Sequence, residues 1–67
     1  MAISARNQLQ GTVKSVTLGA VMAEVVIDVG GQEVVSAITK HSVESLGIKE
    51  GDSVTAVIKA TEVMVMK

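Results

Sequence analysis

The 67-residue chain contains no cysteine and no Phe, Tyr or Trp. Without cysteine there is no disulfide framework and no thiolate metal site. The lone His41 cannot make a metal cage by itself. Without aromatics a core gains little area per residue, and single-stranded nucleic acid finds no stacking platform. Charge is nearly balanced, with six Lys/Arg against seven Asp/Glu and a net −1. That argues against a general nucleic-acid or acidic-lipid surface. No apolar run reaches the roughly 18 residues of a membrane span. The first residues lack the basic-then-apolar pattern of a secretory signal. The expectation is a cytoplasmic protein with neither nucleic acid nor membrane as partner.

Catalytic constellations are missing too. No paired carboxylates stand in an acid–base setting. His41 and Ser42 are adjacent but have no acidic orienter nearby, so a hydrolytic triad is not assembled. No glycine-rich phosphate loop of the G-x-x-x-x-G-K-[ST] type is present. The chain is therefore expected not to be an enzyme.

What is present is apolar and rich in Val: 48% of residues are hydrophobic and the mean hydropathy is +0.48. One domain spanning residues 1–67 is all this length allows, and a domain so small is marginal alone. Small scaffolds need a staple such as disulfides, metal or oligomerisation. Elimination leaves oligomerisation, with Val and Met buried between copies.

Period-two alternation dominates. Leu9 to Leu18 reads as a first strand, with Gly11 expected at a bulge or bend. Val21, Ala23, Val25, Ile27 and Val29 alternate with Met22, Glu24 and Asp28 in a second. Gly30-Gly31 is a two-residue hairpin signal, and Gln32 to Ile38 returns. Thr39 or Ser42 can cap a short helix that Gly47 ends. Ser53 to Lys59 and Thr61 to Met66 alternate again. The fold class this predicts is all-β: a five-stranded OB-like barrel with one short helix between strands 3 and 4. The runner-up, an SH3-like barrel, usually lacks that helix.

Carboxylates are absent from residues 1–23, 34–43 and 53–61. These windows hold Arg6, Lys14, Lys40 and Lys59 and most of the hydroxyls, including Ser4, Thr39, Ser42 and Thr61. An anion without protons can only accept hydrogen bonds, so its site needs donors and no carboxylates. In "ITKHS", Thr39 and Ser42 place two hydroxyls at a helix start, where free N–H groups gather. In "IKAT", Lys59 closes a strand beside the small Ala60, which lets a ligand approach the backbone N–H. Each stretch also fits a plain cap or a solvated edge lysine. Chance patchiness would account for the gaps as well.

"SARNQLQGTV" followed by "ITKHSVESLGIKEGDSVTAVIKATEVM" resembles the Mop family, the molybdate-binding molbindins. The likeness includes S-A-R-N-x-L-x-G, the segment Gly19, Val21, Ala23, Glu24, Val25, then I-T-x-x-S-x-x-x-L, and G-x-x-V-x-A-x-I-K-A. It covers essentially the whole chain. The resemblance implies an OB-like barrel assembled as a homohexamer, a trimer of dimers, that stores molybdate or tungstate. It implies oxyanion pockets between subunits, with Ser4 and Arg6 from one subunit. Thr39, Ser42, Lys59 and the backbone of Ala60 would come from the neighbour. A second pocket near the threefold axis is implied, with Lys40, His41 and the turn of Gly19, Val21 and Met22 as candidates. Two other functions remain open on the residues: a single-stranded nucleic-acid module, disfavoured by the missing aromatics, and a purely structural oligomer.

Overall fold

The computed structural model describes residues 2–67. Four antiparallel strands form one sheet: β1 Asn7–Leu18, β2 Met22–Val29, β3 Gln32–Thr39 and β4 Ser53–Ile58, in the order β3-β2-β1-β4. A seven-residue helix, α1 Lys40–Leu46, lies between β3 and β4.

β1 is shared lengthwise. Its first half pairs with β4, from Asn7↔Ile58 to Thr12↔Ser53. Its second half pairs with β2, from Thr12↔Asp28 to Leu18↔Ala23. The expected irregularity in β1 is real but sits elsewhere: the register slips between Val13 and Ser15, at Lys14, not at Gly11. Gly11 answers a different constraint. A Cβ there would lie 2.5 Å from the Asp28 carbonyl oxygen and 2.8 Å from Ile27 Cγ2, so β2 crosses where only glycine fits.

β2 carries the cleanest alternation, with Ala23, Val25 and Ile27 buried and Met22, Glu24 and Asp28 exposed. Gly30 and Gly31 both have positive φ, 59° and 88°, as a two-residue turn joining right-twisted strands requires. The Asp28 carboxylate accepts the Gly31 N–H at 2.9 Å. Val13, Ala23, Val25, Ile27, Val43 and Ala56 form the core. Val43 is the buried residue of α1. The helix closes on Gly47 at φ 63°, whose N–H donates to the Glu44 carbonyl while Ile48 N–H donates to Val43.

The fifth strand expected at Thr61–Met66 is absent, and the sheet is not a closed barrel. After β4 the chain makes a 3-10 turn at Ala60–Glu62 and then runs extended through Val63. Among the described residues this tail joins no ladder of its own chain. Alternation in sequence marks a segment that suits a strand. It does not say which chain's sheet receives it.

Candidate functional site

The structure sorts the proposed site residues into two groups at opposite ends of β1. Asn7 faces Ile58 in the ladder, and its side-chain Nδ2 donates to the Ile58 carbonyl at 3.2 Å. Continuing that register one step outward sets Arg6 beside Lys59. Gln8 Nε2 donates back to the Ala5 carbonyl at 2.9 Å, which holds the entry segment carrying Ser4 and Arg6 against β1. Ser4, Arg6, Lys59 and Ala60 are all exposed. Ala60 opens the 3-10 turn, with Glu62 N–H donating to the Lys59 carbonyl at 2.9 Å. Two cations therefore follow the last pair of the β1–β4 ladder, one on each strand.

The hydroxyls lie at the other end. Thr39 pairs with Met22, just beyond Ala23↔Leu18 at the finish of β1. Thr39 caps α1: its Oγ1 accepts the Ser42 N–H at 3.0 Å and stands 2.8 Å from Ser42 Oγ. One of these two hydroxyls donates to the other, so one O–H is left to point outward. Ile38 and Ile58, the neighbours of Thr39 and Lys59, nevertheless line one groove together with Leu46 at the end of α1.

The second candidate cluster does come together. Lys40 N–H donates to the Val21 carbonyl at 2.7 Å, and Gly19 N–H to Met22 at 2.8 Å. The β1–β2 turn is thereby tied to the start of α1. A shallow depression there is lined by Ala20, Val21, Thr39, Lys40, His41 and Glu44. His41 Nε2 lies 3.4 Å from Ser45 Oγ. Glu44 is a carboxylate that the acid-free windows did not foresee, because one helical turn carries it back beside Lys40. Lys14 shows the same effect across strands. It pairs with Glu33, and this hydrogen bond, then the charges of Glu33 and Asp28, raise its pKa above 10.5. Asn7 and Gln8 are the positioning residues missed in the sequence. Their signal was a pair of amides directly after the exposed Arg6.

No helix is long and apolar enough to cross a membrane, and no group of three or more His, Cys, Asp or Glu could hold a metal ion, both among the described residues. What the two ends offer is donors and cations in small strand-end clusters, the chemistry of an oxyanion-binding protein.

Comparison with known proteins agrees with that class. Residues 3–65 match the TOBE domain. Molybdenum-pterin-binding protein 3 of Clostridium pasteurianum is 55% identical over 67 residues, covering 98% of each chain. A molybdate-binding protein from Sporomusa ovata superposes with a TM-score of 0.96 at 52% identity, covering all of both chains. The cytoplasmic molybdate-binding protein ModG, solved with molybdate bound, gives a TM-score of 0.85 at 52% identity. That match covers 90% of this chain and 43% of ModG. The chain belongs to the TOBE-domain family, among its Mop proteins. These relatives are named for binding and not for catalysis.

Proposed function

We propose that this chain binds molybdate, and tungstate with it, between copies of itself in a homo-oligomer, a hexamer built as a trimer of dimers, and that it serves as a cytoplasmic store of the oxyanion. The observation that carries the reading is that the donors, Ser4, Arg6, Thr39 and Lys59 among them, stand exposed at the ends of the strands. A tetrahedral dianion needs charge and hydroxyl donors on several sides, and an exposed cluster on one small copy leaves some of those sides open. A second copy closes the shell. Ser4 and Arg6 come from one, and Thr39, Ser42, Lys59 and the Ala60 N–H from the other. Arg6 offers a planar two-pronged donor and Lys59 a compact charge. A protein donor shell that replaces the water shell of the dianion needs no direct protein–metal bond.

The depression of Lys40, His41 and the Gly19, Val21, Met22 turn is the second oxyanion locus in this reading. Glu44 stands at its rim, so the cations of several copies must gather there to outweigh that carboxylate.

Isothermal titration calorimetry with molybdate, tungstate and sulfate tests the assignment directly. Saturable binding of the first two, stronger than sulfate, is expected at micromolar protein. Native mass spectrometry with and without molybdate reports the number of copies and of bound anions together. No heat with either metal oxyanion, or one anion bound to a lone copy, refutes it.

A further inference from the structure

Alternation puts Asn7 where an apolar side chain would serve the sheet better. Val13 is in the core, and counting back from it by twos, Gly11, Leu9 and Asn7 share its face of β1. Opposite them on β4 stand Val54, Ala56 and Ile58. Gln8, Gln10 and Thr12 lie on the other, exposed face. Asn7 is thus a half-buried amide on the inward face. A leucine there would bury more apolar surface beside Ile58. A half-buried amide needs a partner, and Asn7 finds its own across the ladder, where Nδ2 donates to the Ile58 carbonyl at 3.2 Å. That carbonyl belongs to the peptide joining Ile58 to Lys59. The next peptide is held too, since the Lys59 carbonyl accepts the Glu62 N–H at 2.9 Å. Peptide units are planar, so the two soft dihedrals of Lys59 lie between two pinned planes. Lys59 stands extended there, at φ −63° and ψ 135°, where the strand stops and the 3-10 turn begins. The turn has no side-chain cap of its own, so the Asn7 amide is the side-chain hold on this junction.

We propose that Asn7 is a positioning residue of the oxyanion site: its carboxamide fixes the backbone on which Lys59 stands and so aims the ammonium at the anion. This rests on the preceding reading, which gives Lys59 to one pocket and Arg6 to another. Asn7 follows Arg6 in the chain, but its amide reaches the other strand, so Lys59 is the cation it serves. The Lys59 side chain is exposed, and its direction is set by the backbone beneath it rather than by packing. A backbone fixed before the anion arrives removes part of the ordering cost of binding. The amide gives up apolar burial at the end of the β1–β4 ladder in return, a trade of stability for a prepared site.

Asn7→Leu keeps a side chain of similar size and removes the donor. Molybdate affinity by calorimetry should fall about 3- to 10-fold, the range of one neutral hydrogen bond, while ligand-free melting stays level or rises. A melting temperature that falls together with the affinity makes Asn7 a stabilising residue only and overturns the proposal. A double-mutant cycle reads which cation is served. In a Lys59→Ala background, titrated at raised ligand concentration, Asn7→Leu should cost less than about twofold, and in an Arg6→Ala background its full factor. Equal losses in the two backgrounds overturn the proposal. Amide hydrogen exchange without ligand supplies a readout that molybdate does not enter. The Glu62 amide should exchange about tenfold faster in Asn7→Leu than in the parent, with the core amides of Val25 and Ile27 unchanged. An unchanged Glu62 rate removes the positioning role. A parent chain that binds no molybdate defeats the reading of the site itself. A parent that binds it, with Asn7→Leu binding equally well, defeats this proposal alone.

Discussion

Thr39 and Ser42 at one end of β1 are bonded to each other at 2.8 Å, capped onto α1, and backed by the buried Val43. Arg6 and Lys59 at the other end are exposed, with only Asn7 and Gln8 steadying the backbone beneath them. The hydroxyl end is organised before a ligand arrives, and its geometry is part of the fold's stability. The cationic end is exposed, and in the proposed function its side chains are ordered when an anion and a second copy meet them. Freezing a long cationic side chain costs up to about 2 kcal/mol of rotamer entropy. A charge-assisted bond to a dianion must exceed that, which the hydroxyl end does not require. Stability and affinity should therefore separate by end.

Arg6→Ala and Lys59→Ala carry the largest effect expected. Each removes a charged donor worth roughly 1.5–3 kcal/mol, a loss of about 10- to 150-fold in molybdate affinity by calorimetry. The melting temperature without ligand, at matched protein concentration, should stay within about 1 °C. A drop in ligand-free stability comparable to that of a core variant would show that the cationic end is built into the fold and would erase the contrast.

Gly11→Ala strikes the strand that joins the two ends. The new Cβ meets the Asp28 carbonyl oxygen, which is backbone and cannot swing away. Overpacking of this kind costs about 1–3 kcal/mol, and both ends should weaken together in a urea titration monitored at equilibrium. An unchanged midpoint would mean that β1 and β2 can part there at no cost.

Thr39→Ala should behave in the opposite way to Arg6→Ala. Loss of the helix cap costs about 1 kcal/mol, so ligand-free melting falls by several degrees in a domain of this size. Thr39→Ser keeps an oxygen for the Ser42 N–H and should restore most of the stability. If Thr39→Ala changes affinity alone, the cap is not what organises that end.

The hydroxyl end was the more legible in the sequence for the same reason that it is the more rigid. Its determinants are local: Thr39 three residues before Ser42, Gly47 past the last turn, Gly30-Gly31 between two alternating runs. The cationic end depends on a ladder between residues 51 apart, Asn7 and Ile58, and spacing along the chain does not disclose register. Gly11 was noticed but its reason was not, since the carbonyl it must avoid belongs to β2. The carboxylate-free windows were a one-dimensional pattern. Folding brings Glu33 onto Lys14 and Glu44 beside Lys40. Thr61–Met66 alternates like a strand yet joins no ladder among the described residues, because alternation is silent about pairing.

The smallest effect belongs to Lys14, which lies in the first carboxylate-free window yet at neither end. Its pair with Glu33 raises the ammonium pKa above 10.5 in the folded chain. A group whose folded pKa is raised stabilises fully below its unfolded value and loses that contribution as pH rises through the folded one. From pH 7 to 9.5 the pair therefore adds no slope to stability, and its contribution disappears only above about 10.5. Both side chains are more than half or about half exposed, at 61% and 50%, where solvent screens such pairs almost completely. Lys14→Met should leave both the urea midpoint at pH 7 and the affinity for molybdate unchanged, and should differ from the parent in neither at high salt. A clear loss of affinity in Lys14→Met, with stability intact, would place a cation of the oxyanion shell in the middle of β1 and undo the division of donors between its two ends.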